Sequence, residues 1–66
     1  MTTATDDRML TTAEVAERCR VSDSTVRYWR ATRYGPPSFR VGRRVLYRAE
    51  DVTAWLDTLR AAQAAG

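Results

Sequence analysis

Residues 10–30 read LTTAEVAERCRVSDSTVRYWR, and this stretch contains two helix starts. Thr11 and Glu14 make a T-x-x-E capping box, with Leu10 one residue before the cap and placed to staple onto Val15. The helix that begins here has Val15, Ala16 and Cys19 on its apolar side. It must be short, because Arg20 and Val21 run straight into Ser22, a second N-cap residue with Val21 and Val26 spaced as another staple. Two helices thus meet across a tight turn. The second is expected from about Asp23 to Arg33; at about 100° per residue, Ser22, Val26, Trp29 and Arg33 share one side. Ser24, Arg27, Tyr28 and Ala31 face the other way. Val26 and Trp29 are then core, while the outward side presents a hydroxyl, a guanidinium, a phenol and a small residue.

Downstream, Gly35-Pro36-Pro37 stops the second helix, since proline cannot continue it and biases the residue before it toward extended geometry. A hairpin follows. Ser38 to Val41 and Val45 to Tyr47 flank Gly42-Arg43-Arg44, and a three-residue loop pairs Val41 with Val45 and Phe39 with Tyr47 on one face. A two-residue loop would pair Val41 with Arg44, a poorer cross-strand match. In the preferred register Arg40 and Leu46 share the outer face, and the loop arginines project from the tip. From Ala49 onward Val52, Trp55, Leu56 and Leu59 fall at i, i+3, i+4, i+7, the stripe of an amphipathic helix, with Tyr47 placed to staple onto Val52. Glu50 and Asp51 suit the start of that helix, whereas Arg48 is a poor N-cap. Residues 1–8 are expected as a flexible N-terminal tail, 9–60 as one domain, and 61–66 as a frayed C-terminal tail.

With 66 residues the chain has room for one domain and a thin core. It contains no histidine and a single cysteine, Cys19, which removes zinc fingers, His-based triads and an intrachain disulfide. No catalytic residue, metal site, cofactor or small-molecule substrate is expected, and the chain is not read as an enzyme. No segment has the length and apolarity needed to cross a bilayer, and the polar N-terminus has no apolar leader core, so the expected place is the cytoplasm.

All eleven basic residues are arginine, and their placement is uneven. Residues 18 to 48 carry nine arginines against Asp23 alone, a local charge of +8, whereas residues 1–17 sum to −3 and residues 49–66 to −2. A basic centre between acidic ends is the pattern of a segment that binds a polyanion. Put together, the elements run helix, turn, recognition helix, two-stranded wing, C-terminal helix. That is a mainly α fold with a β-hairpin, the winged helix-turn-helix, whose second helix fits the roughly 12 Å wide major groove of double-stranded DNA. A narrow turn with Gly42, Arg43 and Arg44 suits the minor groove.

Leu10 to Ala16, Val21-Ser22, Ser24 to Trp29, Phe39 to Arg44, Glu50 to Val52 and Trp55-Leu56 together resemble the excisionase and MerR-like winged-helix domains over about residues 9 to 59. A module of this length is most similar to a phage or integrative-element excisionase. The resemblance implies a bacterial host cytoplasm, with the protein on the nucleoid when bound. It implies binding to tandem sites near an attachment site, DNA bending, and help to a tyrosine or serine integrase in choosing excision. It also implies cooperative head-to-tail self-association on DNA, for which Leu46 is the candidate contact. Carried over by position, Ser24, Thr25, Arg27 and Tyr28 face the major groove, and Gly42, Arg43 and Arg44 form the wing. Thr12, Ser22, Arg30, Arg33, Arg40 and Arg48 meet phosphate, while Arg18 and Arg20 either do so or only solvate the first helix. Ser24 and Tyr28 stand where related excisionases often carry long charged side chains. Two other readings stay open: a small transcriptional regulator on the same domain, and a winged-helix adaptor for protein contact.

Overall fold

The computed structural model describes residues 8–64. Met9–Thr11 form a short strand, β1, which passes without a break into helix α1 at Thr12–Cys19. The capping box is present in full: Thr11 Oγ1 accepts from the Glu14 amide at 3.2 Å, and Glu14 Oε1 accepts from the Thr11 amide at 2.8 Å. Helix α2 covers Asp23–Ala31 and is capped by Ser22, whose Oγ accepts from the Thr25 amide at 3.2 Å. Strands β2, Phe39–Val41, and β3, Arg44–Arg48, make the hairpin, and α3 runs over Ala49–Ala64. Two helices across a tight turn, a hairpin and a third helix constitute a winged helix-turn-helix.

The core is small and draws on every helix. Leu10, Val15, Ala16, Val26, Tyr47, Ala49 and Val52 are buried, with Cys19, Val21, Trp29, Val45 and Leu56 packed against them. Both members of each expected staple, Leu10 with Val15, Val21 with Val26 and Tyr47 with Val52, lie in this assembly. A second cluster closes the far side, where Trp29, Tyr34 and Trp55 meet with ring centroids 5.2 to 5.8 Å apart. Gly35 makes that cluster fit: its φ is +91°, and a Cβ there would lie 3.2 Å from Cε3 of Trp29.

The hairpin register differs from expectation. Val41 pairs with Arg44, Arg40 with Val45 and Phe39 with Leu46, so the loop is the two residues Gly42 and Arg43, and Arg44 belongs to β3. Gly42 has φ +63° while Arg43 is not positive, the combination of a type II′ turn, the tight connection that matches strand twist. Turn geometry outweighed the Val–Val and Phe–Tyr matches. The faces change accordingly. Arg40 lies on the core side with Val45 and Tyr47, while Leu46 shares the outer face with Phe39 and Val41.

Three further differences are local. Strand β1, absent from the sequence reading, pairs antiparallel with β3 through Leu10↔Tyr47, giving a three-stranded sheet in the order β1-β3-β2. Helix α2 stops at Ala31, two residues early, because the Thr32 hydroxyl donates to the carbonyls of Tyr28 and Trp29 and Arg33 turns to φ +62°. At the start of α3, Arg48 pairs with Glu50 at 3.1 Å, and the Ala49 amide donates to the Arg8 carbonyl at 2.9 Å. Helix α3 continues through the expected tail as far as Ala64, its exposed residues 61–64 adding no core. The N-terminal tail expected at 1–8 lies outside the described residues apart from Arg8, and so do residues 65–66.

Candidate nucleic-acid interface

Burying Val26 and packing Trp29 against the core fixes the rotation of α2. Ser24, Arg27, Tyr28 and Ala31 are consequently all exposed, Tyr28 by 67%. Thr25 is half-buried at the edge of this face. At the N-terminal end of α2, Ser22 Oγ lies 3.0 Å from Thr25 Oγ1 and 3.3 Å from Ser24 Oγ, so the three hydroxyls form one cluster. Ser22 is committed first to capping, which holds that cluster in place.

Gly42, Arg43 and Arg44 are exposed at and beside the hairpin turn. A Cβ at Gly42 would meet nothing within 4 Å, so the glycine is needed for its φ and not for space. Between the hairpin and α2 runs a cleft lined by Arg30, Ser38, Phe39, Arg40 and Val45. The corrected register is what turns Arg40 toward this cleft instead of the outer face.

Arg30 and Thr12, both expected at phosphate, are brought together. Arg30 is half-buried, and its Nη1 donates to Thr12 Oγ1 at 3.2 Å and to the Tyr47 hydroxyl at 3.4 Å. One guanidinium thus ties α2 to α1 and β3 while also bordering the cleft. The Tyr47 ring is 98% buried, so its hydroxyl depends on this bond. Arg33 is exposed just past the end of α2, and Arg48 shares its charge with Glu50.

Leu46 is half-buried, not stranded, because Thr11 and Phe39 flank it across the sheet. The large apolar side chains exposed on that outer face are Met9, Phe39 and Val41, at 50, 39 and 52%, with Arg44 and Arg48 exposed on the same face. Sequence reasoning missed them as a group. Gly42 can open either a two- or a three-residue loop, and only the two-residue turn puts Phe39 and Val41 on this face.

Burial pushes the Cys19 thiol pKa up against a smaller opposing effect of Arg18, which keeps the sulfur protonated at neutral pH. Among the described residues no group of His, Cys, Asp or Glu is arranged to hold a metal ion, and no helix is long and apolar enough to cross a membrane.

A family model described as a helix-turn-helix domain matches residues 9–60, most of the chain. The chain belongs to this helix-turn-helix family. It is a DNA-binding domain, and α1 and α2 are the helices that give the family its name. No curated protein and no solved structure gives a significant match. Within the helix-turn-helix frame, α2 occupies the position of the recognition helix, and its residues Ser24, Arg27 and Tyr28 are exposed among the described residues.

Proposed function

We propose that this helix-turn-helix protein reads double-stranded DNA with α2 and the wing together, and serves as an excisionase-type accessory factor without catalytic activity of its own. The observation that carries the DNA-reading part is the exposure of Ser24, Arg27 and Tyr28 on α2 and of Gly42, Arg43 and Arg44 at the hairpin turn, all within the segment of charge +8. In this reading Arg27 reaches guanine or phosphate, and Ser24, Thr25 and Tyr28 contact base edges or methyl groups in the major groove. Arg43 and Arg44 beside Gly42 enter the minor groove. Arg33 and Arg40 meet phosphate, together with Thr12 and Ser22 at the two helix starts. Arg30 and Arg48 contribute through whatever donors their contacts with Thr12, Tyr47 and Glu50 leave over.

A salt series tests the DNA contact. With about six arginines on phosphate, log affinity for a mixed-sequence 30-base-pair duplex should fall against log salt with a slope near −5, or about a thousandfold between 50 and 200 mM. A flat response overturns the reading.

The excisionase role rests on the resemblance of residues 9 to 59 and supplies the partner, an integrase, and the arrangement, tandem sites on bent DNA. Leu46, Phe39 and Val41 on the outer sheet face are the surface assigned to contact between neighbouring copies. Footprinting on attachment-site DNA is the decisive measurement. Adjacent direct repeats that fill cooperatively support the role; a single inverted repeat points to a transcriptional regulator instead, and repeats that fill independently remove the outer face from the account.

A further inference from the structure

Two non-glycine residues among those described have positive φ, and both are arginine: Arg20 at +63° and Arg33 at +62°. Each ends a helix with the same backbone pattern. After α1, the amides of Arg20 and Val21 donate to the carbonyls of Glu17 and Ala16 at 3.2 and 2.9 Å. After α2, the amides of Arg33 and Tyr34 donate to Arg30 and Trp29 at 3.3 and 2.8 Å. These are Schellman terminations, whose left-handed residue is usually glycine because a Cβ is disfavoured there. The apolar contact that accompanies the motif is present both times, Val21 with the core beside Ala16 and Tyr34 against Trp29. The backbone therefore calls for glycine twice, and the chain supplies arginine twice.

Among the described residues no group pairs with these side chains. Both are exposed, and neither guanidinium has a hydrogen bond or ion pair among the described residues. Their placement is informative. Arg20 precedes the N-cap of α2 by two residues and Arg33 follows the last residue of α2 by two, so the pair brackets the recognition helix. At nine residues α2 is about 13 Å long. A recognition helix lies in the major groove, which is about 12 Å wide and bordered on both sides by phosphate backbones, so long side chains just beyond its two ends are within reach of phosphate.

We infer that Arg20 and Arg33 are a pair of phosphate clamps at the two ends of α2, held in a backbone conformation that costs the fold stability. The inference rests on the DNA reading and adds to it a specific trade: side chains that the free protein would be more stable without are kept for the bound state. They position α2 in the groove and read no base.

The test uses four variants of the full chain, Arg20→Gly, Arg33→Gly, Arg20→Ala and Arg33→Ala, with thermal melts and anisotropy titrations on a mixed-sequence 30-base-pair duplex. Each glycine variant should raise Tm by roughly 3–6 °C, since the left-handed conformation no longer carries a Cβ. Each should also bind DNA several-fold more weakly, with the salt slope reduced by about one. The alanine variants keep the Cβ, so they should bind as weakly as the glycine variants and show no rise in Tm. Glycine variants that melt higher and bind as the wild type does would overturn the clamps and leave the DNA reading standing. Glycine variants that melt no higher would overturn the trade. A wild-type chain that shows no salt-dependent binding would bring down the DNA reading itself, an outcome visible before any variant is made.

Discussion

Replacing Trp29 with alanine should remove most of the domain's stability and bring it close to its unfolding midpoint at 25 °C. The indole packs against the buried core and meets Trp55 at 5.2 Å and Tyr34 at 5.8 Å between ring centroids, so it joins α2, the loop after it and α3. Removing a large aromatic from such a site costs about 3 kcal/mol, the low end of the usual range because Trp29 is half-buried and the site can partly collapse. A domain of this size holds only about 3–5 kcal/mol in total. The loss is amplified at Gly35, whose backbone lies against the indole, and at the left-handed turn of Arg33, whose apolar partner contact is Tyr34 on Trp29. Urea titration followed by far-UV circular dichroism measures the effect. A midpoint close to that of the wild type would show that the aromatic cluster is peripheral to stability.

Arg27→Ala is expected to have the largest effect on recognition and almost none on folding. Arg27 stands at the middle of the exposed face of α2, and its guanidinium has no partner among the described residues. If it forms a bidentate pair with guanine, its loss costs about 1–3 kcal/mol, or roughly 5- to 150-fold in affinity, and relaxes preference at one base pair. The measurement needs two duplexes: a preferred site selected from a randomised library, and a mixed-sequence control. Affinity should fall sharply on the first and only several-fold on the second. Equal losses on both would make Arg27 a phosphate contact, and the base-reading role would pass to Ser24 and Tyr28.

The two helix starts were legible because capping is short-range chemistry: Thr11 and Glu14 satisfy each other's amides three residues apart, and Ser22 does the same for Thr25. Helical periodicity alone turns Val26 and Trp29 inward and Arg27 and Tyr28 outward, and that places the candidate recognition face. The stripe of Val52, Trp55, Leu56 and Leu59 was equally readable.

The sheet was not. Pairing preferences favoured Val41 against Val45, but a two-residue type II′ turn at Gly42 sets the register, and one slipped residue exchanges the two faces of the hairpin. Strand β1 has three residues, too few to show alternation, and its partner β3 lies more than thirty residues away. Arg30 looked like any surface arginine until folding brought Thr12 and Tyr47, 18 and 17 residues distant, within reach of it. Composition and local pattern by themselves set the basic centre, the two capped helices across a tight turn and the hairpin after them, because charge, capping and helical faces are decided within a few residues. Tertiary structure alone decided which arginines remain free for a ligand and which face of the wing carries Arg40, because those outcomes depend on groups that meet only after the chain has closed upon itself.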